Sequence, residues 1–274
     1  MSPAVVLGAD VGGTNTKLAV ARFESGAPVV IEREVYASAD YAALELVIER
    51  FLRDSGAARY APAIEAACFA VAGPVEHGRG RLTNLPWQPD ESEIAKRFAI
   101  PRVRVINDFA AAGRGVAYLA ADDLLTLQAG TPEERGERVV VGAGTGLGVA
   151  LLDWDGDAYE VHPSEAGHAD FAPVDAVQDR LLQHLRKEFP RVSYERVVCG
   201  AGFGRILAFL EAIGAGEPSQ TLKDAVRAGK AASAITELGL TKKDPLAALA
   251  LDIFAAAYGS FTGNMALTML AHGG

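Results

Sequence analysis

The sequence predicts a duplicated α/β architecture, and two observations carry that prediction. An apolar run over residues 4–7 ends in Gly8-Ala9-Asp10, a glycine-rich turn Gly12-Gly13-Thr14-Asn15 follows, and residues 18–23 are again mostly apolar. About 130 residues later the pattern begins again, with a strand at 138–141, the turn Gly142-Ala143-Gly144-Thr145-Gly146, and a second strand at 148–154. Two β runs joined by glycine, with no helix signal after the turn, read as a hairpin. Gly-Gly beside Asn offers the φ > 0 conformations of a tight hairpin. The Walker loop and the dinucleotide fingerprint both need a helix directly after their glycines, so neither applies. What remains is a different phosphate cradle with a carboxylate, Asp10, at its lip.

Each element follows from local pattern. Ser25-Gly26 marks a turn, and residues 29–36 read as a third strand. Asp40 can cap a helix over 41–53, with Leu44, Val47, Ile48 and Phe51 on one face. Residues 63–71 form a small-residue apolar strand that stops at Gly73-Pro74. A loop with Gly78 and Gly80 leads through Thr83-Asn84 to Trp87. A short helix over 92–98 precedes a strand at 103–106, which ends in Asn107-Asp108 and passes into a helix from 109 to about 119. After the second glycine turn come a strand at 159–161 and helices near 174–187, 204–213 and 245–270. The lobes are read as residues 1–118 and 119–274, with a cleft between them and no low-complexity linker.

Bulk properties exclude several classes. At 274 residues and 50% apolar composition the chain can bury a sizeable core, as one large domain or two ordinary ones. The net charge of −9 is spread without blocks, so nucleic acid and anionic membranes are not expected partners. No run of ~18 apolar residues and no basic-then-apolar leader is present. Cys68 and Cys199 lie far apart inside apolar segments and read as buried reduced thiols. A soluble cytoplasmic protein is expected.

Three groups can carry chemistry. Backbone N–H groups at glycine turns form concave nests that suit phosphate oxygens, although a lone glycine hairpin is also simply a tight turn. A matching pair in two lobes favours the phosphate reading, and Thr14 and Thr145 add hydroxyls at the same relative place. Asp10 would sit where phosphates bring Mg²⁺, or else bond its own backbone. Asp108, between strand and helix, is either a plain N-cap or a general base for a substrate hydroxyl. Its neighbour Asn107 offers a donor and an acceptor, which suits a polyol. Glu165 and His168 are three apart among small residues, so both can face one ligand. No Cys or second His follows at ligand spacing, so zinc is not expected. Glu195 reads as a surface charge, and His77, His162 and His184 form no constellation.

Taken together, Asp10-x-Gly12-Gly13-Thr14-Asn15, Asn107-Asp108-Phe109, Gly142 to Gly148 and Glu165-Ala166-Gly167-His168-Ala169-Asp170-Phe171 resemble the bacterial glucokinase family, in its order and spacing over the whole chain. The resemblance implies two duplicated ribonuclease H-like lobes, the actin-like ATPase fold shared with hexokinase and Hsp70. It implies ATP- and Mg²⁺-dependent phosphorylation of the glucose 6-hydroxyl. Asp108 is similar to the catalytic base, and Asn84, Asn107, Glu165, His168 and Glu195 to the sugar-binding residues. Gly12, Gly13, Thr14 and Asn15 resemble the first phosphate loop, Gly144, Thr145 and Gly146 the second, and Asp10 the carboxylate linked to magnesium through water. A homodimer is a further family expectation. The cysteine-rich zinc cluster of the related repressor branch is absent from the sequence, which favours the zinc-free branch. The family pattern continues past a segment like 266–274 with a strand, a glycine pair at the adenosine and closing helices, whereas this sequence stops at Gly274. Two other readings stand beside glucokinase: a kinase of another hexose or an N-acetyl amino sugar, and a non-catalytic sugar or nucleotide sensor of the same fold.

Overall fold

β1 (Val5–Val11) and β2 (Asn15–Glu24) form the predicted hairpin, and β3 (Ala27–Ala37) adds a third antiparallel strand. This is a computed structural model that describes residues 4–24, 26–82 and 84–274. Ser25 and Thr83, named above in a turn and beside Asn84, lie outside the described residues. α1 (Leu44–Asp54) follows, then β4 (Ile64–Val71), the short hairpin β5 (Val75–Glu76) and β6 (Arg79–Gly80), and α2 (Glu91–Phe98). β7 (Arg102–Asn107) runs directly into α3 (Asp108–Gly115). The sheet order is β3-β2-β1-β4-β7, antiparallel across β3, β2 and β1 and parallel across β1, β4 and β7. Alternation along the strands sends Leu7, Val11, Leu18, Val20, Phe69 and Val71 to one core. There they meet Leu44, Val47, Ile48 and Phe51 of α1, the i, i+3, i+4, i+7 stripe read from the sequence.

Two local expectations are corrected here. Asp40 does not cap α1; it closes a 3₁₀ turn over Ser38–Asp40, and the helix starts at Leu44 behind Ala43. Ser38, which opens that turn, donates its hydroxyl to the Gly12 carbonyl of the first glycine turn. Cys68 is exposed and not buried, because β4 alternates and Ala67, Phe69 and Val71 take the core side. Cys199 is buried, and both thiols are free.

The second unit runs from Gly130, the first ending at Ala129. β8 (Arg138–Ala143), β9 (Leu147–Trp154) and β10 (Tyr159–Ser164) form an antiparallel sheet ordered β10-β9-β8. This repeats the three-strand meander of β1 to β3. The helices are α4 (Ala176–Leu185), α5 (Tyr194–Val197), α6 (Gly200–Ala212), α7 (Gln220–Arg227), α8 (Ala231–Leu240) and α9 (Pro245–Met269). α9 is long and apolar enough to cross a membrane by length and composition. Its Leu246, Ala247, Ala250, Phe254, Ala257 and Phe261 are nevertheless buried in the core with Phe203, Ile206 and Leu207 of α6. A core helix passes the same composition test as a spanning one.

Asp244 starts α9. Its carboxylate accepts the Ala247 N–H at 2.9 Å and the Ser219 N–H at 2.8 Å, while only 1% of the residue is exposed. Burial works against its charged form, but these N–H donors outweigh it and hold the carboxyl below its ordinary range. Further along α9, the Tyr258 hydroxyl donates to the Val141 carbonyl at 2.9 Å, tying the helix to the strand that feeds the second glycine turn.

Candidate active site

The first turn, between β1 and β2, closes through the Gly12 N–H, which donates to the Asn15 carbonyl at 3.0 Å. Neither glycine adopts a positive φ, and nor does Asn15, contrary to the tight-hairpin expectation. Val11 pairs with Thr16 across the ladder, so four residues form the connection, and a loop of that length needs no left-handed residue. The glycines serve close approach instead. A Cβ on Gly13 would stand 2.9 Å from Asn84 Cβ, which brings the exposed Asn84 against the turn. Ser38 braces the turn from behind: its hydroxyl donates to the Gly12 carbonyl at 2.8 Å and its N–H to the Thr14 carbonyl at 2.9 Å. Thr16 lies 2.9 Å from the Ser38 hydroxyl, and since the Ser38 proton is spent on Gly12, Thr16 is the donor. Both side chains are fully buried. Asp10 sits opposite Lys17 in the ladder and the two form an exposed ion pair at 2.8 Å. The hydrogen bond that Lys17 donates to Asp10, then the Asp10 charge, raises the Lys17 pKa.

The junction of β7 and α3 shows that the cap expected at Asp108 lies one residue earlier. Asn107 is the N-cap: its Oδ1 accepts the N–H of Phe109 at 2.9 Å and of Ala110 at 3.2 Å, and its Nδ2 donates to the Gly73 carbonyl at 3.3 Å. Asp108 is the first residue of the helix, half-buried, with Oδ1 2.9 Å from the Phe109 N–H. A carboxylate there is favoured by the helix N-terminus, while the capping duty falls on its neighbour.

The second turn closes in the same manner, the Gly144 N–H donating to the Gly146 carbonyl at 2.8 Å. Its bracing differs. The Gly200 N–H, at the start of α6, donates to the Gly144 carbonyl at 2.8 Å, and Glu195 Oε2 accepts the Leu147 N–H at 2.9 Å. Glu195, on the short helix α5, also stands with Oε1 3.7 Å from His168 Nδ1. On the other side of the ring, His168 Nε2 is 3.8 Å from Glu165 Oε2. Glu165 precedes the 3₁₀ turn Ala166–His168 and His168 ends it, and Gly167 between them allows the backbone to lie against the Leu147 carbonyl. Glu165, His168 and Glu195 are thus one cluster, beside the second turn. Among the described residues no group of three or more His, Cys, Asp and Glu side chains is arranged to hold a metal.

Residues 7–274 match the glucokinase family model. The chain is 38% identical to a glucokinase of Nostoc sp. over 98% of its own length and 82% of that protein's. The chain belongs to the glucokinase family. It is 35% identical to a glucokinase of Zymomonas mobilis, covering 96% of this chain and 78% of the relative. The crystal structure of a glucokinase from an Antarctic psychrotroph superposes with a TM-score of 0.79 at 31% identity, over 99% of this chain and 81% of that one. A glucokinase from Balamuthia mandrillaris, solved in complex with glucose, has the same fold with a TM-score of 0.71 at 22% identity. The resemblance read from the motifs is borne out, and with it the actin-like ATPase fold and the class of ATP-dependent hexose kinase. Ser38, Thr16, Lys17 and Gly200 were not legible as partners of the turns: each reaches its turn through the fold and carries no motif of its own.

Proposed function

We propose that the chain transfers the γ-phosphoryl group of ATP to the 6-hydroxyl of D-glucose, with Asp108 as general base. The observation that carries this reading is the division of labour at the head of α3. Asn107 caps the helix, and Asp108, its first residue, holds a half-buried carboxylate at the helix N-terminus. As the glucose O6–phosphorus bond forms and the bridge from the γ-phosphorus to the β-phosphate oxygen breaks, Asp108 takes the O6 proton, leaving glucose 6-phosphate and ADP. Glu165, His168 and Glu195 hold the ring hydroxyls, and the second N–H of Asn107 together with Asn84 supplies further sugar contacts.

The two turns receive phosphate oxygens. Gly12 and Gly144 each spend their own N–H on closing the turn, so the donors are the amides and hydroxyls that follow, on Gly13, Thr14 and Asn15, and on Thr145 and Gly146. One exposed carboxylate, Asp10, suits an Mg²⁺ that arrives on phosphates and keeps most of its water, and does not suit a metal held by protein ligands alone. Bound there, the ion would neutralise phosphate charge. The same family reading makes the enzyme a cytoplasmic homodimer.

The test is a coupled assay of ADP release with glucose, comparing wild type with Asp108→Asn. The substitution should lower kcat by about 10²- to 10⁴-fold, the range for loss of a general base. Turnover that survives it would sink the mechanism. Replacing glucose by other hexoses and by N-acetylglucosamine in the same assay distinguishes the sugar.

A further inference from the structure

We propose that Glu195 is a positioning residue for the second glycine turn as well as a sugar contact, and that Gly146, on the phosphate side, thereby sets the affinity for sugar. The inference rests on the reading of Glu195 as a sugar ligand and adds a function to it.

The geometry has three parts. Glu195 Oε2 accepts the Leu147 N–H at 2.9 Å, fixing the residue at which the turn rejoins β9. The other oxygen of the same carboxylate, Oε1, faces His168 Nδ1 at 3.7 Å. Finally, a Cβ built on Gly146 would stand 2.5 Å from Oε2 and 3.3 Å from the carboxyl carbon, with no other heavy atom within 4 Å. Gly146 is therefore glycine because Glu195 occupies the space a side chain would need. Its φ is not positive, so the backbone accepts alanine and the collision falls on the Glu195 carboxylate alone. Gly144, two residues earlier in the same turn, has nothing within 4 Å of a built Cβ.

One rigid carboxylate shared between a backbone amide and the His168 cluster couples the two groups it touches. Sugar that fixes Oε1 also fixes Oε2, and with it the amide geometry of the turn. By linkage the coupling acts equally in the other direction.

Gly146→Ala should weaken glucose binding at least about fivefold in nucleotide-free calorimetry, the low end of ordinary coupling between sites. Gly204→Ala, on α6, where a built Cβ also meets nothing within 4 Å, should leave the glucose affinity within about twofold under the same conditions. In a Glu195→Ala background, Gly146→Ala should add nothing. Glucose affinity unchanged in Gly146→Ala would overturn the proposal, and so would an equal loss with Glu195 already absent. A thermal unfolding scan accompanies each variant. Should Gly146→Ala not fold, binding of a non-hydrolysable ATP analogue without glucose decides. Glu195→Ala then weakens that nucleotide at least about fivefold, Glu195→Gln restores it because its carbonyl oxygen can accept the Leu147 N–H, and Glu165→Gln has no effect. Nucleotide affinity indifferent to Glu195→Ala overturns the proposal. A wild-type protein that binds no glucose overturns instead the sugar-site reading on which it rests.

Discussion

The two glycine turns share a closing pattern and differ in what holds them. At each, a glycine N–H donates to a carbonyl at the far end of its own turn. The first is then locked by Ser38 and Thr16, two uncharged hydroxyls with no exposed surface. The second is held by Glu195, a charged and half-buried side chain that also faces His168. A hydroxyl pair sealed in the frame can do nothing but brace. A carboxylate with one oxygen on the backbone and the other towards His168 can report. The brace of the first turn is thus purely structural, whereas the brace of the second also faces His168.

The sharpest way to break that contrast is Ser38→Ala. It strips the hydrogen bond from the Gly12 carbonyl and leaves the buried Thr16 hydroxyl without its acceptor. Each buried group left unpaired costs about 1–3 kcal/mol, so a loss of about 3 kcal/mol is expected in denaturant unfolding of the first unit. Glu195→Gln, which keeps an acceptor for the Leu147 N–H, should cost less than about 1 kcal/mol in the second unit. If the two penalties are equal, the distinction between the two braces fails.

Asp244 sharpens the contrast by adding pH. It anchors α9, which reaches β8 through Tyr258, so the support behind the second turn is in part a charge. Its folded pKa lies below the unfolded value of about 3.9. The stability it contributes is therefore complete above that unfolded value and is lost as pH falls through the folded one. Asp244→Ala should cost about 2 kcal/mol at neutral pH, as for a buried N-cap with a second acceptor bond. That difference from wild type should shrink below about pH 4, whereas the Ser38→Ala penalty, resting on hydroxyls, should contribute no such slope. Chemical denaturation from pH 7 to 3 checks both.

What the sequence showed was whatever is local or repeated. The hairpins, the two turns and the helix stripe of Leu44, Val47, Ile48 and Phe51 are patterns within a dozen residues, and the structure contains them. The bracing was hidden because its bonds span 26 positions from Ser38 to Gly12 and 48 from Glu195 to Leu147. Asp108 and Asn107 are adjacent and both can cap, so only the geometry of the helix start separates the cap from its neighbour. Cys68 sat in a run of small apolar residues whose pattern does not reveal which face is covered. α7 and α8 escaped notice because each buries a single large apolar side chain, Leu222 in the first and Ile235 in the second. Glu195 had no local signal at all and entered through the family resemblance.

Lys17 provides the finest test of the comparison, because its pair with Asp10 lies on the first turn but outside its buried frame. The two side chains are 61% and 57% exposed, so water screens their attraction and each loses rotamer freedom in holding the pair. Lys17→Met should therefore cost no more than about 0.5 kcal/mol, and ~1 M salt should remove even that difference from wild type. A penalty approaching that of Ser38→Ala would mean that the Asp10–Lys17 pair helps to build the turn, and Asp10 would then be structural. A small, salt-sensitive penalty leaves Asp10 held only loosely by Lys17. Loose pairing is what a carboxylate needs if it is to turn from an ammonium to the water shell of a phosphate-borne magnesium ion.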